Sequence, residues 1–351
     1  MDMESTNRRI LIAIPVFNDW PSLSLLIKKL DEVMPAYFDI LIIDDASTVP
    51  YKAGDFVDFK NIRTIGILEL KRNLGHQRAI ALGLAYIEAN LDCKAVIVMD
   101  ADGEDDPVDV PRLIDKCADY EFSKMIFARR MKRSENLIFR LFYSLYRKFY
   151  RILTGHEIRV GNFSIIPYKH LQRLVVVSEI WNHYAVGALK ARLAHAAIAV
   201  RRGHRLAGKS TMNFVALVTH GLSAISVYGD TVGARLLIAS CFLIFISLLG
   251  IFVATFIRLT TTLAIPGWTS YVVGIFLIIM IQSVILSLFF IFIVLGGRNS
   301  ISFIPQRDYL LFILDYKQVF QCHIPTSAKN STCLVEQPTG RITTEDSSKN
   351  T

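Results

Sequence analysis

Two long uncharged runs constrain this chain more than anything else in it. Leu236 to Ile257 is 22 residues without a charge, and Tyr271 to Leu295 is 25 more. As helices rising 1.5 Å per residue, each would reach at least roughly 33 Å, against about 30 Å for a bilayer's hydrocarbon core. A buried helix is the alternative for one such run; two in one chain point to membrane spans. Apolar residues make up 52% of the 351, more than an ordinary soluble enzyme carries. Trp268 and Tyr271 stand at the start of the second run, where interface anchors sit.

Flanking charge gives the orientation. Arg201, Arg202, Arg205, Lys209 and Arg235 precede the first run and Arg298, Arg307 and Lys317 follow the second, whereas the loop between carries Arg258. Both termini are therefore expected on the cytoplasmic side, of a bacterial inner membrane or of the endoplasmic reticulum in a eukaryote. Met1 to Arg9 is polar and Ile10 to Phe17 is too short for a signal peptide, so residues before about 230 are expected to form a cytoplasmic domain. The net charge of +8 calls for anionic partners, and with membrane runs present these are anionic lipids or a polyanionic substrate rather than nucleic acid. Cysteines 93, 117, 241, 322 and 333 have neither disulfide nor metal spacing and read as reduced bystanders.

The cytoplasmic part alternates strand and helix. Ile10 to Phe17 is an apolar run stopped by Asn18-Asp19, and Leu23, Leu26, Ile27 and Leu30 then recur at helical spacing. Ile40 to Ile43 ends in Asp44-Asp45. Thr64 to Leu70 is followed by Arg72-Asn73-Leu74-Gly75-His76-Gln77-Arg78 and an Ala-rich helix. Val96 to Met99 ends in Asp100-Ala101-Asp102-Gly103-Glu104-Asp105-Asp106, after which Asp106 to Asp119 looks helical. The alternation predicts an α/β fold: a mostly parallel, Rossmann-like sheet with flanking helices and its acidic strand ends along one edge. Ligand sites of open α/β sheets lie at that edge. Asp-Ala-Asp in extended geometry points both carboxylates one way, suited to a divalent cation that also holds a diphosphate. A lone D-x-D is served as well by a solvated acidic turn.

Between Lys124 and Arg159 stand ten Lys or Arg against Glu135 and Glu157, interleaved with aromatics. Residues 137–153 read as an amphipathic helix in the membrane interface, and Met212 to Tyr228 as a second. The expected organisation is a cytoplasmic domain over 1–210, an interfacial helix over 211–232, two transmembrane helices over 233–297, and a polar tail over 298–351, disordered from about 325. Small residues in the spans would permit packing into a homo-oligomer.

IPVFND, DDAS, RNLGHQRAIALG and MDADGEDDP occur in this order over the first 110 or so residues. Together they resemble the donor-binding half of a family 2 inverting glycosyltransferase of the GT-A fold. The terminal spans make the dolichyl- or polyprenyl-phosphate sugar synthase branch the nearest match, similar to bacterial enzymes that glycosylate undecaprenyl phosphate. The resemblance divides the domain into a donor half, 1–120, and an acceptor half, 121–210. It implies that Pro15, Phe17 and Asp19 line the base and ribose pocket and that Asp45 contacts base or ribose, with Asn73 and Ser210 also on the donor; Asp44 is equally well a strand-end cap. Asp100 and Asp102 occupy the metal and diphosphate motif, Asp102 as the expected ligand, and Glu104 falls where the branch often has Gln as a third. Arg129, Arg130 and Arg133 fall where the family has a G-S-R-x-x-R segment and are expected on the acceptor phosphate, or on lipid headgroups. RLAGKST resembles the R-x-x-G-x-S-K segment that closes over both phosphates, with Thr211 for its Lys; Arg205 and Ser210 are the expected contacts and Lys209 the compensating charge. GNFS occupies the place of an acceptor-side D-x-x-x-G-F-R strand without its Asp and Arg.

The function implied is transfer of a sugar from a UDP- or GDP-linked donor to a polyprenyl phosphate, with Mg2+ or Mn2+ and with inversion; Asp100, Asp102 and Arg205 carry the charge work. An acceptor phosphate is ionised near pH 7 and needs no general base. A hydroxyl acceptor on a lipid-linked glycan would need one, and Glu179 or His183 would be the first suspects. A non-catalytic nucleotide-sugar-binding membrane scaffold is the reading from another class. Trp181-Asn182-His183-Tyr184 has no counterpart in the family pattern; it would either shape an acceptor or belong to the core.

Overall fold

The apolar runs that end in acids fold as strands and lie side by side. The computed structural model describes residues 9–35, 37–130, 137–157, 160–208, 214–261, 265, 267–299 and 303–322. In it β1 (Ile10–Val16) pairs in parallel with β2 (Phe38–Asp44) and with β4 (Ala95–Val98), and β3 (Ile62–Leu70) continues the parallel set beyond β2. Every residue of β2 and β4 is buried, as befits strands covered on both faces. One face is covered by α1 (Trp20–Val33), whose Leu23, Leu26, Ile27 and Leu30 form its inward stripe, together with α3 (Asp109–Asp119). The other carries α2 (His76–Asn90), which approaches so closely that a Cβ at Gly83 would strike Ile43.

The sheet is mixed at its flanks. After α3 the chain forms β5 (Met125–Arg130), α4 (Leu137–Thr154), β6 (Ser164–Pro167), α5 (Tyr168–Leu174), α6 (Tyr184–Lys190) and β7 (His195–Val200). β6 runs antiparallel to both β4 and β5, and β7 is parallel to β5. After α7 (Phe214–Ser226), α8 (Gly229–Thr260), α9 (Trp268–Asn299) and the turn α10 (Pro305–Asp308) comes β8 (Ile313–Gln321), antiparallel to β3. The strand order is β7-β5-β6-β4-β1-β2-β3-β8.

β8 corrects one expectation: residues 303–322 are not a polar tail but part of the sheet unit. Lys317 Nζ reaches Glu69 at 2.7 Å, and the Tyr316 ring fills the space above Gly66. The chain divides into two compact units, one of Met1–Lys132, Arg159–Thr211 and Phe303–Thr351, the other of Arg133–Ile158 and Met212–Ser302. The amphipathic helix α4 thus belongs with the apolar helices rather than with the sheet. The tail from 325 lies outside the described residues.

Within the second unit, α8 and α9 are both long and apolar enough to cross a membrane. The buried residues of α8 are Gly233, Ser240, Ser247 and Ala254, one every seventh position. A Cβ at Gly233 would strike Val294, and one at Gly250 the Phe276 ring. The serine hydroxyls bond back to carbonyls four residues earlier, Ser240 to Leu236 at 2.9 Å and Ser247 to Leu243 at 2.8 Å, so they carry no unmet polarity. On α4, Leu145, Phe149 and Ile152 form an exposed apolar stripe flanked by the exposed Arg147, Lys148 and Arg151. Tyr146 holds α4 to α7 through Gly221 O at 3.1 Å, and Arg235 of α8 donates to Ile152 O at 2.6 Å.

Candidate active site

β1, β2 and β4 are parallel, so their carboxyl ends open on one edge of the sheet. Asn18, in the left-handed region at φ 54°, stitches the first two ends together: its side-chain oxygen accepts from Thr48 N at 2.9 Å and Val49 N at 3.1 Å, and its own N–H donates to Ser47 Oγ. Trp20 Nε1 adds a bond to Val49 O at 2.7 Å. Pro15 lies in β1 opposite Ile43, and Phe17 stays exposed beside the stitched loops. Asp44 caps its own strand end by accepting from Ser47 N at 2.9 Å.

Asp45 is buried, and its carboxylate accepts from Leu74 N at 2.7 Å and Gly75 N at 2.8 Å. Expected against base or ribose, it has one bond to each oxygen from the loop that launches α2 and so fixes that loop. Burial raises its pKa against the pull of those two amides. Asn73 is exposed in that loop, and Gly75, at φ 90°, makes the turn that sets His76 at the head of α2.

The β4 end is built more tightly. Asp105 accepts from Asp100 N at 3.1 Å, and Asp102 Oδ1 from Glu104 N at 2.9 Å. Residues after β7 lie along this loop: Gly203 N donates to Glu104 O at 2.8 Å and Leu206 N to Asp102 O at 2.9 Å. The approach requires glycine on both sides, since a Cβ at Gly103 would strike Leu206 and one at Gly203 the carbonyl of Gly103. The strap brings Arg205 into the site, where its guanidinium pairs with Asp19 and, at 3.3 Å, with Asp102 Oδ2. Ser22 Oγ donates to Asp19 Oδ1 at 2.6 Å and bonds Ala207 O at 3.3 Å, tying strap and α1 together.

Arg130 and Arg202 converge on Glu104, and Arg130 also bonds Asp105 Oδ1 at 2.9 Å. Among the described residues no three His, Cys, Asp or Glu side chains come together to hold a metal ion. Glu104, expected as third ligand, is turned to the arginines, because its extra charge is best met by the two cations beside it. Arg130, expected on an acceptor phosphate, serves the acidic loop, while Arg129 is exposed at the end of β5. Arg133, Lys209 and Ser210 lie outside the described residues.

Three residues that sequence reasoning missed, His76, Gln77 and Asn162, complete the site. His76 Nε2 lies 3.0 Å from Asp100 Oδ1 and 3.0 Å from Asn162 Nδ2. Gln77 reaches Asn162 Oδ1 at 3.3 Å and accepts from Tyr184 N at 2.7 Å. Burial opposes charge on His76, but Asp100 first, then Asp105 and Asp102, raise its pKa above the usual value. Burial likewise opposes charge on Asp100, yet His76 and Arg130 hold its carboxyl well below the usual range. Burial and then Asp100 push Asp105 up. Burial also raises Asp102, against its bond from Glu104 N. Asp100 Oδ1 is a buried oxygen that accepts no well-aligned hydrogen bond.

The Trp181-Asn182-His183-Tyr184 stretch resolves as core. Tyr184 is fully buried with its hydroxyl 2.6 Å from Ser164 Oγ, His183 caps α6, and Trp181 packs on Phe303. Glu179 is held by Lys190 at 2.7 Å.

Residues 11–181 match the family model for Glycosyl transferase family 2. The uncharacterized glycosyltransferase YkcC of Bacillus subtilis (strain 168) is 25% identical over 275 residues, 75% of this chain and 81% of that protein. The undecaprenyl-phosphate 4-deoxy-4-formamido-L-arabinose transferase of Klebsiella pneumoniae (strain 342) is 28% identical over 114 residues, 31% of this chain and 33% of that protein. Among solved structures, glucosyl-3-phosphoglycerate synthase from Mycobacterium tuberculosis superposes with a TM-score of 0.45 at 14% identity, over 65% of this chain and 80% of that one. The match makes residues 11–181, which carry β2 to β6 and nearly all of β1, a family 2 glycosyltransferase domain.

Proposed function

We propose that the protein transfers a sugar from a nucleotide diphosphate sugar to a polyprenyl phosphate, inverting the anomeric carbon, at the cytoplasmic face of a membrane crossed by α8 and α9. The observation that carries this reading is the pairing of Asp102 and Asp19 with one guanidinium, that of Arg205, at the carboxyl edge of the sheet. In the reaction the bond from the anomeric carbon to the diphosphate oxygen breaks as an acceptor phosphate oxygen bonds the opposite face. The leaving diphosphate takes up charge, and Arg205, delivered by the strap, supplies a cation where that charge develops.

Asp102 Oδ2, beside Arg205, and Asp100 Oδ1, beside His76, fit a divalent ion of the kind that is held by one or two carboxylates and completes its shell with substrate phosphates and water. When bound, such an ion would stabilise the departing diphosphate as a Lewis acid. Phe17, exposed next to Asn18, covers the base in this reading, and Asp19 meets the ribose. Asp45 acts on the donor through the loop it fixes. Arg129, exposed at the end of β5, meets the acceptor phosphate in this reading.

The acceptor class draws support from the Klebsiella relative, whose name specifies undecaprenyl phosphate. Further support comes from α4, with Leu145, Phe149 and Ile152 exposed beside Arg147, Lys148 and Arg151, a pattern suited to an anionic interface. A hydroxyl acceptor is the weaker reading, because the two residues expected as its base are engaged elsewhere: Glu179 with Lys190, and His183 as a buried helix cap.

The test is a panel of labelled UDP- and GDP-sugars with the purified full chain, Mg2+ or Mn2+, and liposomes containing polyprenyl phosphate. A labelled, mild-acid-labile lipid is expected. Product that forms only with a glycan-bearing lipid would replace the phosphate acceptor by a hydroxyl, and donor binding without transfer to either would overturn the reading.

A further inference from the structure

The turn between α10 and β8 and the start of β8 present Leu310, Leu311 and Leu314 to solvent, exposed by 64%, 68% and 64%. Turns are ordinarily polar, and three outward leucines within five residues form an apolar patch in need of a partner. Everything beneath them is anchored. Tyr309 is buried, and the Phe312 ring packs against Phe303 at 5.6 Å and Trp181 at 5.5 Å, with Arg78 above Trp181. Disorder does not expose the leucines; a fixed base holds them outward.

One of the two cations beside the patch is fixed as well. Lys71 N donates to Phe312 O at 2.8 Å and Lys71 Nζ to Leu311 O at 3.1 Å, and Arg72 follows with its side chain exposed. The nearby acids are met within the same segment, Asp308 by Arg307 and Asp315 by Lys317. Apolar tips ringed by unneutralised cations suit the boundary between acyl chains and anionic headgroups.

We propose that this turn is a lipid-docking tip of the sheet unit, its leucines entering the headgroup layer of an anionic membrane while Lys71 and Arg72 meet lipid phosphates. The proposal rests on α8 and α9 being membrane spans, and it gives Trp181 a role as the wall that holds the tip. It adds a contact from the sheet unit to any made by α4 or α7.

The test places photoreactive p-benzoylphenylalanine at Leu311, at Phe252 in the middle of α8, or at Tyr37, an exposed residue far along the chain from the tip. The full-length protein is illuminated in nanodiscs of phosphatidylcholine with or without phosphatidylglycerol. Leu311 should yield an adduct heavier by one phospholipid, at several times the level seen at Tyr37. The pair Lys71→Glu and Arg72→Glu should reduce that adduct in phosphatidylglycerol discs and leave the Phe252 adduct unchanged. A Leu311 adduct of twice the chain mass would make the patch an interface between copies and overturn the proposal. So would a Leu311 yield no higher than at Tyr37 while Phe252 captures lipid, an outcome that leaves the spans and the transfer reaction standing. If Phe252 captures no lipid, the spans and the tip fall together.

Discussion

Asp45 spends its carboxylate on the N–H groups of Leu74 and Gly75, 29 and 30 residues further along the chain. The acid closing β2 is thereby the mount of the loop that sets His76 beside Asp100. Bonds to a buried charged acceptor contribute about 1.5–3 kcal/mol each. Asp45→Ala, which leaves two amides without a partner, should therefore cost about 3 kcal/mol or more, and Asp45→Asn about half. The check is the denaturation midpoint of the full chain alongside its affinity for nucleoside diphosphates. Lost affinity at an unchanged midpoint would return Asp45 to direct contact with the donor.

Arg205 pairs with Asp19 and Asp102 through separate nitrogens of one planar fork, a geometry lysine cannot reproduce. Removing a group that stabilises transition-state charge costs about 10²–10³ in turnover, and that loss is expected for Arg205→Ala and for Asp102→Asn, with midpoints close to the parent's. Arg205→Lys should fall between parent and alanine variant, because it keeps the charge and loses one of the two contacts. Full metal-dependent turnover in Asp102→Asn would remove the carboxylate from the diphosphate site.

His76 makes a signed prediction about pH. Its pKa is raised in the folded protein, with burial opposing the charged form and Asp100 favouring it more strongly. The stabilisation it gains is fully present below the unfolded value of about 6.5 and is lost as pH rises through the raised folded value. The midpoint difference between the parent protein and His76→Gln should be largest near pH 5.5 and shrink by pH 8.5. A difference that grows with pH would mean that the imidazole is neutral in the folded state.

What could be read from the sequence follows burial. β1, β2 and β4 are covered on both faces, so each holds an unbroken apolar run, Ile10 to Val16, Ile40 to Ile43 and Ala95 to Met99, and each run stops just before the acids that mark the site. β8 is an edge strand, half exposed, and Ile313-Leu314-Asp315-Tyr316-Lys317-Gln318 mixes polar and apolar residues without a clean period; its partner β3 lies some 250 residues earlier. The site divides in the same way. Strand-end acids were visible as local motifs, whereas His76 meets Asn162 across 86 positions and Arg202 meets Glu104 across 98. Pairings of that range leave no local pattern. The arginines on Glu104 could have been anticipated only from the surplus of acids at one strand end, which demands compensating charge.

The apolar hairpin yields the last prediction. Gly250 of α8 and Gly233 near its start face Phe276 and Val294 of α9 with no room for a Cβ, and helices without a hydrophobic driving force between them associate by such close packing. Gly250→Leu should overpack the seam by about 1–3 kcal/mol and lower the midpoint in bilayer nanodiscs. Phe276→Ala opens a gap at the same point and should destabilise by itself. Combined, the two exchange volume across the contact, so the double variant should be more stable than the sum of the single effects. Additive losses would show that the two side chains do not share one space, and the packing of α8 on α9 at this level would have to be abandoned.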